Sequence, residues 1–217
     1  GSLLGAPRVL LLTFNRSLAA AARELLLALG GAALADVEVQ TLHRWCTSFA
    51  GIGPRRMLRI PGERDQRLDR AIERVRDAAP DAALWSYPRS FWVDELHRIK
   101  GRVLAGEQEY QGMRRFGADR PLAARQRELV WRVHQAYAAA CREHGRLDWD
   151  DVVRLAHDRL RERRESAPRY DFVFVDEAQD LTVMALRVAA LLARPPGELF
   201  VGFDAAQSIY ERGFRFK

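Results

Sequence analysis

The sequence predicts an α/β protein in which a parallel, doubly wound sheet is interrupted by a mainly helical insert. Three observations carry that expectation. Four apolar runs have strand length: RVLLLTF at 8–14, VEVQT at 37–41, YDFVFVDE at 170–177 and ELFVGFD at 198–204. Helical stretches stand between consecutive runs, which is the alternation that a parallel sheet with crossover helices requires. Between residues 55 and 165 no stretch reads as a buried strand, and apolar positions recur at helical spacing instead.

Each element has a local reason. RVLLLTF is a continuous apolar run, and SLAAAARELLLALGG after it has helical composition with a stop at Gly30-Gly31. VEVQT alternates at strand period, and LHRWCTSFA makes a short helix before Gly51, Gly53 and Pro54 break it. In the insert, RDQRLDRAIERVRDAA carries a stripe of Leu68, Ile72, Val75 and Ala79, with Arg and Asp on the other face. SFWVDELHRIK and WDDVVRLAHDRLRER are two more helical pieces. PLAARQRELVWRVHQAYAAACREHG starts at Pro121 and stops at Gly145, as helix ends prefer. LTVMALRVAALLA is helical and ends before Pro195-Pro196-Gly197, which separates it from the last apolar run. The resulting division is 1–52 and 147–217 for the sheet-bearing parts, with 53–146 as the insert.

Composition narrows the class. The 217 residues are 48% hydrophobic and 29% charged, as in a globular chain able to bury a substantial core. No window approaches a membrane span and the start lacks a signal-peptide pattern, so a cytoplasmic location without membrane contact is expected. Gly1-Ser2 reads as a cloning scar. Cys46 and Cys141 lie far apart with no CxxC, which points to two buried thiols rather than a zinc site or disulfide. The formal charge is +6, and its location is uneven: residues 51–169 hold 26 Lys or Arg against 19 Asp or Glu, and the rest hold 9 against 10. The middle is therefore a candidate polyanion surface, although a preference for Arg codons accounts for the same excess.

The stretch YDFVFVDEAQDL, 170–181, runs a strand straight into Asp176, Glu177, Gln179 and Asp180. Ligands of open parallel sheets bind outside the carboxyl ends of the strands, where Asp176, Glu177 and Asp204 fall. A hard cation such as Mg²⁺ needs only one or two such carboxylates beside a bound phosphate. Glu177 next to it would orient water for in-line attack. Read alone, the cluster fits a solvated acidic turn equally well.

The neighbouring segments shift that balance. VDEAQD followed by DAAQSIY resembles motifs II and III of the UvrD/Rep-type superfamily 1 DNA helicases. LLLTFNRSLA resembles their motif Ia, TLHRW their motif Ib, and LDWDDVV the short acidic-aromatic motif ahead of the DEAQD strand. Five segments in the family's order imply a RecA-like (P-loop NTPase) first motor domain with its helical insert. By that resemblance Asp176 holds Mg²⁺ through water and Glu177 is the general base. Gln179, Asp180 and Asp204 belong to the nucleotide site and its links to neighbouring motifs, and Gln207 senses the terminal phosphate. Thr13, Phe14, Asn15, Thr41, His43, Trp45 and Tyr210 resemble residues that meet single-stranded DNA by stacking and hydrogen bonding. The implied partners are single-stranded DNA, ATP and the rest of a helicase chain, with 3′ to 5′ movement.

Without the resemblance, Phe14 and Trp45 read as core residues and His43 as a surface or capped histidine. Asp148, Asp150 and Asp151 suit the N-terminus of the helix near Val152. His97, His134, His144 and His157 read as surface residues, and Trp85, Trp92, Trp131 and Trp149 as core of the insert. The chain also departs from the family. Phe203 stands before Asp204 where Gly is usual, and ERG separates Tyr210 from Phe214-Arg215. Both lysines, Lys100 and Lys217, follow residues other than glycine, so no G-x-x-x-x-G-K-[ST] phosphate loop is present. In the family that loop precedes motif Ia, and this chain begins about one strand before that motif and stops just after motif III. The simplest account is a helicase fragment inactive by itself, with ATP and Mg²⁺ expected in the full-length parent only. A non-catalytic helicase-like module for DNA or protein binding is the alternative.

Overall fold

The computed structural model of the chain describes residues 6–58, 62–102, 104, 106–115, 118, 120–163 and 165–203. In chain order the elements are β1 (Val9–Thr13), α1 (Arg16–Gly30), β2 (Glu38–Thr41), α2 (Leu42–Phe49), α3 (Glu63–Arg76), α4 (Arg89–Lys100), α5 (Glu107–Gly112), α6 (Ala124–Glu143), α7 (Trp149–Glu162), β3 (Tyr170–Val175), α8 (Val183–Leu192) and β4 (Ala193–Val201). They form two compact units. One comprises residues up to Gly51 together with those from Val152 on, and the other is Ile52–Asp151.

The first unit holds a wholly parallel four-stranded sheet of order β2-β1-β3-β4. Register places Thr13 opposite Thr41 and Leu12 opposite Val175, so β1, β2 and β3 end level with one another. The connecting helices begin where the chain supplies a cap. The Asn15 carboxamide accepts from the Leu18 amide at 2.9 Å, and Thr41 and Thr182 accept from Arg44 and Ala185. Gly31, with φ 51°, closes α1 in a conformation that side chains disfavour. Leu10, Leu12, Val173, Val188, Ala189, Leu192 and Leu160 are fully buried and make the core.

The fourth strand differs from expectation. It begins at Ala193 rather than Glu198, because Tyr170 pairs with Ala193 and Phe172 with Glu198, leaving residues 194–197 as an irregularity in the ladder. Pro195 and Pro196 have no N–H to offer a ladder, which is tolerated on the last strand of a sheet. Nor is the strand buried. Phe200 and Val201 are 42% and 44% exposed, since β4 has only β3 beside it among the described residues.

The second unit is helical, and no described residue of it lies in a strand. Leu68, Ala71 and Val75 of α3, Trp92, Leu96 and Ile99 of α4, Tyr110 of α5 and Leu129, Val133 and Tyr137 of α6 form its core. The expected α3 stripe is present with its centre rotated toward Ala71; Ile72 and Ala79 are partly buried. Its two ends are tied by an isolated bridge: the Leu58 amide donates to Leu147 at 2.9 Å and the Leu147 amide to Arg56 at 2.7 Å. Residues 147–151 therefore pack with the insert, and the boundary expected at 146/147 moves to 151/152. Trp92 and Trp131 are buried as expected, but Trp149 is 40% exposed. His157, expected at the surface, is buried beside Asp158 at 3.0 Å.

Candidate functional site

The carboxyl edge of the sheet is built around the end of β3. The Asp176 amide donates to the Leu12 carbonyl at 2.9 Å, and the Gly202 amide donates to the Val175 carbonyl at 2.7 Å. The Ala178 amide donates back to Gly202 at 3.0 Å, so residues 176–178 are stitched to β1 on one side and to the end of β4 on the other. Glu177 has φ 54° and ψ 44°, a left-handed conformation that costs a non-glycine residue about 1 kcal/mol. Three contacts hold it there. Its amide donates to Asp176 Oδ1 at 3.0 Å, its carbonyl accepts from the Asp180 amide at 3.1 Å, and its carboxylate accepts from the Gln179 side-chain amide. A backbone amide and a side-chain amide thus share the charge of two of the three acids, Asp176 and Glu177. Asp176 is exposed, Glu177 and Asp180 are half-buried, and Gln179 is buried.

Gly202 decides what fits beside Asp176. A Cβ there would stand 3.3 Å from Asp176 Oδ1 and 3.4 Å from the Val175 carbonyl, so any side chain would crowd the carboxylate. A cavity of ≈ 440 Å³ opens at this point, walled by Leu11 and by Phe174 and Phe200, whose rings stack at 4.7 Å, and Asp176 is its charged lining group. An exposed carboxylate with cleared space suits a hard divalent cation that keeps several waters. Among the described residues no group of three or more His, Cys, Asp or Glu could cage a metal. Asp204, Gln207 and Tyr210, read from the same motif region, lie outside the described residues.

The residues of the first two motifs gather at the same edge, because parallel strands end together. Phe14, 38% exposed, and exposed Asn15 follow β1, and half-exposed His43 follows β2. Thr13 and Thr41 are buried, with Thr13 donating to the Asn15 carbonyl at 3.0 Å and Thr41 capping α2. Trp45 requires a correction. It is 4% exposed, stacks on Phe49 at 4.9 Å, and donates its indole N–H to the Tyr170 hydroxyl at 3.3 Å. That hydroxyl in turn donates to Glu38 at 2.6 Å. Phe49 covers one ring face, Tyr170 takes the polar edge, and almost none of the residue reaches the surface, so a base cannot stack on Trp45 without unpacking it. Its indole is a core group.

The basic excess is also redistributed. The insert unit, 52–151, holds 20 Lys or Arg against 16 acids, while residues 152–169 hold 6 against 3 and belong to the other unit. Many insert arginines are paired internally: Arg146 and Arg67 with Glu63, Arg89 with Asp65 and Asp69, and Arg125 and Arg132 with Glu128.

Lys100 is buried in the insert, a feature that sequence reasoning missed. Its Nζ lies 2.5 Å from Asp148 Oδ2 and 2.7 Å from Asp151 Oδ1. The two aspartates also cap each other's backbone, Asp148 N to Asp151 Oδ2 at 3.2 Å and Asp151 N to Asp148 Oδ1 at 3.0 Å, and the Tyr137 hydroxyl donates to Asp148 at 3.1 Å. Helix capping was expected of these acids; a shared buried cation was not. Burial opposes the ammonium charge, but the two carboxylates outweigh it and hold the Lys100 pKa above its ordinary value. Burial likewise opposes the Asp148 charge, yet Lys100 and the donors around it hold that pKa low. Asp151 is the surplus anion: burial and the neighbouring Asp148 charge push it up to about 6. The one sequence signal was that a chain with 35 basic residues uses Lys only at 100 and 217.

No helix among the described residues is long and apolar enough to cross a membrane. A sequence model of the family described as the UvrD/REP helicase N-terminal domain matches residues 3–216. The chain is 28% identical over 94 residues, 42% of its length, to a putative ATP-dependent DNA helicase, YjcD, of Bacillus subtilis. It is 33% identical over 87 residues, 38% of its length, to the ATP-dependent DNA helicase PcrA of Leuconostoc citreum. Each matched stretch covers 12% of the relative's own length. With a parallel α/β sheet carrying an acidic strand end, a helical insert, and a family match over nearly all its residues, the chain belongs to the UvrD/REP helicase N-terminal domain family.

Proposed function

We propose that the chain is the part of an ATP-dependent, DNA-translocating motor that positions the hydrolytic carboxylate. One observation supports this above the rest: Glu177 stands at the carboxyl edge of the sheet in a left-handed conformation, oriented by Gln179, next to an exposed Asp176 whose surroundings Gly202 keeps open. Bound Mg²⁺ and ATP would supply charge neutralisation and the phosphoryl group. In this reading Asp176 holds the cation through water and Glu177 takes a proton from the attacking water. Gln179 fixes the Glu177 carboxylate and, with Asp180 and Asp204, links it to neighbouring segments, while Gln207 reports on the terminal phosphate. Phe14, Asn15 and His43 face single-stranded DNA, and movement is 3′ to 5′. The 217 residues contain no Gly-Lys pair, so by themselves they hydrolyse ATP at background rate.

The test uses the full-length parent. Glu177→Gln should abolish ATP hydrolysis and leave nucleotide binding within a few fold, because the amide keeps the shape and cannot serve as base. An unchanged hydrolysis rate would remove Glu177 from the chemistry. A wild-type parent that binds DNA without hydrolysing ATP would favour a non-catalytic binding module.

A further inference from the structure

The insert carries arginines that no ion pair among the described residues consumes. Segment 114–120 has three arginines and one aspartate. The central one, Arg115, is buried against Glu95: Nη2 lies 2.6 Å from Oε1, Nε lies 3.1 Å from both carboxylate oxygens, and Nη1 donates to the Arg120 carbonyl. Glu95, itself buried, also accepts from the Tyr110 hydroxyl at 2.7 Å and from Arg98 Nε at 3.2 Å. A buried, multidentate pair of this kind has little freedom, so it holds Arg115 next to Arg114 and, through Nη1, the Arg120 carbonyl. Arg114 and Arg120 are exposed, with no acid partner among the described residues. The Arg120 guanidinium lies over the Tyr87 ring at 5.0 Å, and Tyr87 is held edge-on by Phe91 at 4.9 Å. A guanidinium held over an aromatic face by cation–π attraction does not spend its N–H donors on an acid, and those donors match phosphate oxygens.

We propose that Arg114 and Arg120, set in place by the Arg115–Glu95 pair and the Tyr87 ring, form a contact for the phosphate backbone of single-stranded nucleic acid on the insert. The choice of nucleic acid over another polyanion rests on the helicase reading above; the placement of the two arginines does not. Two neutralised phosphates set the size of the effect, about 0.7 in log-log salt slope each. The contrast is with Arg74 and Arg76 of α3, also exposed but with no aromatic ring beneath them among the described residues.

The experiment measures binding of the 217-residue chain to a labelled oligothymidine by fluorescence anisotropy between about 50 and 200 mM salt. R114A/R120A should flatten the slope by about 1.4, so that the loss of affinity is about sevenfold larger at the low-salt end than at the high-salt end. R74A/R76A, removing the same charge, should change the slope by less than half as much. Tyr87→Leu, which keeps the charge and removes the ring, should weaken binding at every salt concentration. Tryptophan fluorescence confirms that each variant is folded. An unchanged slope in R114A/R120A, or an equal change in R74A/R76A, overturns the proposal and leaves the ATPase reading standing. Absence of binding by the unaltered chain overturns it too, whereas the hydrolytic reading fails only with Glu177→Gln in the parent. Equal competition by polyglutamate of matched charge would make the patch a protein-binding surface and sink the nucleic-acid assignment.

Discussion

Replacing Lys100 by methionine keeps the length of the side chain and removes the one cation between Asp148 and Asp151. The three side chains are 7%, 15% and 23% exposed, so solvent screens the loss poorly. Breaking a buried ion pair by deleting one partner costs about 3–5 kcal/mol, because the other partner's charge stays buried without compensation. With a denaturant slope of roughly 2 kcal/mol per molar urea, the midpoint should fall by about 2 M. Intrinsic tryptophan fluorescence suits the measurement, since four of the five tryptophans, 85, 92, 131 and 149, belong to the insert unit. The companion K100M/D148N/D151N removes all three charges while retaining side-chain hydrogen-bonding groups at 148 and 151, and should recover most of the loss. A K100M penalty under about 1 kcal/mol, or a triple variant as unstable as the single one, would refute the claim that charge compensation at Lys100 holds this corner of the insert together.

Asp151→Asn tests the surplus anion. The folded pKa of about 6 lies above the unfolded value of about 3.9, so the folded chain keeps the proton better between those values, and this group's contribution to stability falls as pH rises from about 4 to 6. The stability of wild type minus Asp151→Asn should therefore decline across that window in urea titrations; a flat difference would contradict the assignment. Asp148 has the opposite sign, since its lowered pKa gives stability that is present above about pH 4 and lost on further acidification. Trp45→Ala should cost about 3–5 kcal/mol as a large-to-small core change. The milder Trp45→Phe, once folded, should bind single-stranded DNA as wild type does, and a loss of affinity at all salt concentrations would show that the indole reaches the nucleic acid after all.

The architecture was legible in the sequence because burial has a period. RVLLLTF and YDFVFV are continuous apolar runs of strand length, the α3 stripe repeats at helical spacing, and Asn15, Thr41 and Thr182 mark helix starts by a local hydrogen bond that needs nothing distant. The acid cluster was legible as well, since a strand that ends in DEAQD puts its carboxylates at the ligand-binding edge of any parallel sheet. What escaped depends on which residues meet across long sequence intervals. Trp45 has the same composition context whether it faces a base or Tyr170, and 125 residues separate it from that hydroxyl. Arg115 looks like free positive charge until Glu95 closes on it, and Lys100 looks like a helix-end surface residue until Asp148 and Asp151 return to it 48 and 51 positions later. Local patterns determined most of the secondary structure, the parallel sheet and the strand-end carboxylates, but not the early start of β4, which comes from pairing with β3. Only tertiary folding decided which charges are spent inside the insert and which remain for a ligand, because charge compensation acts through space at a few ångströms and leaves no period in the chain.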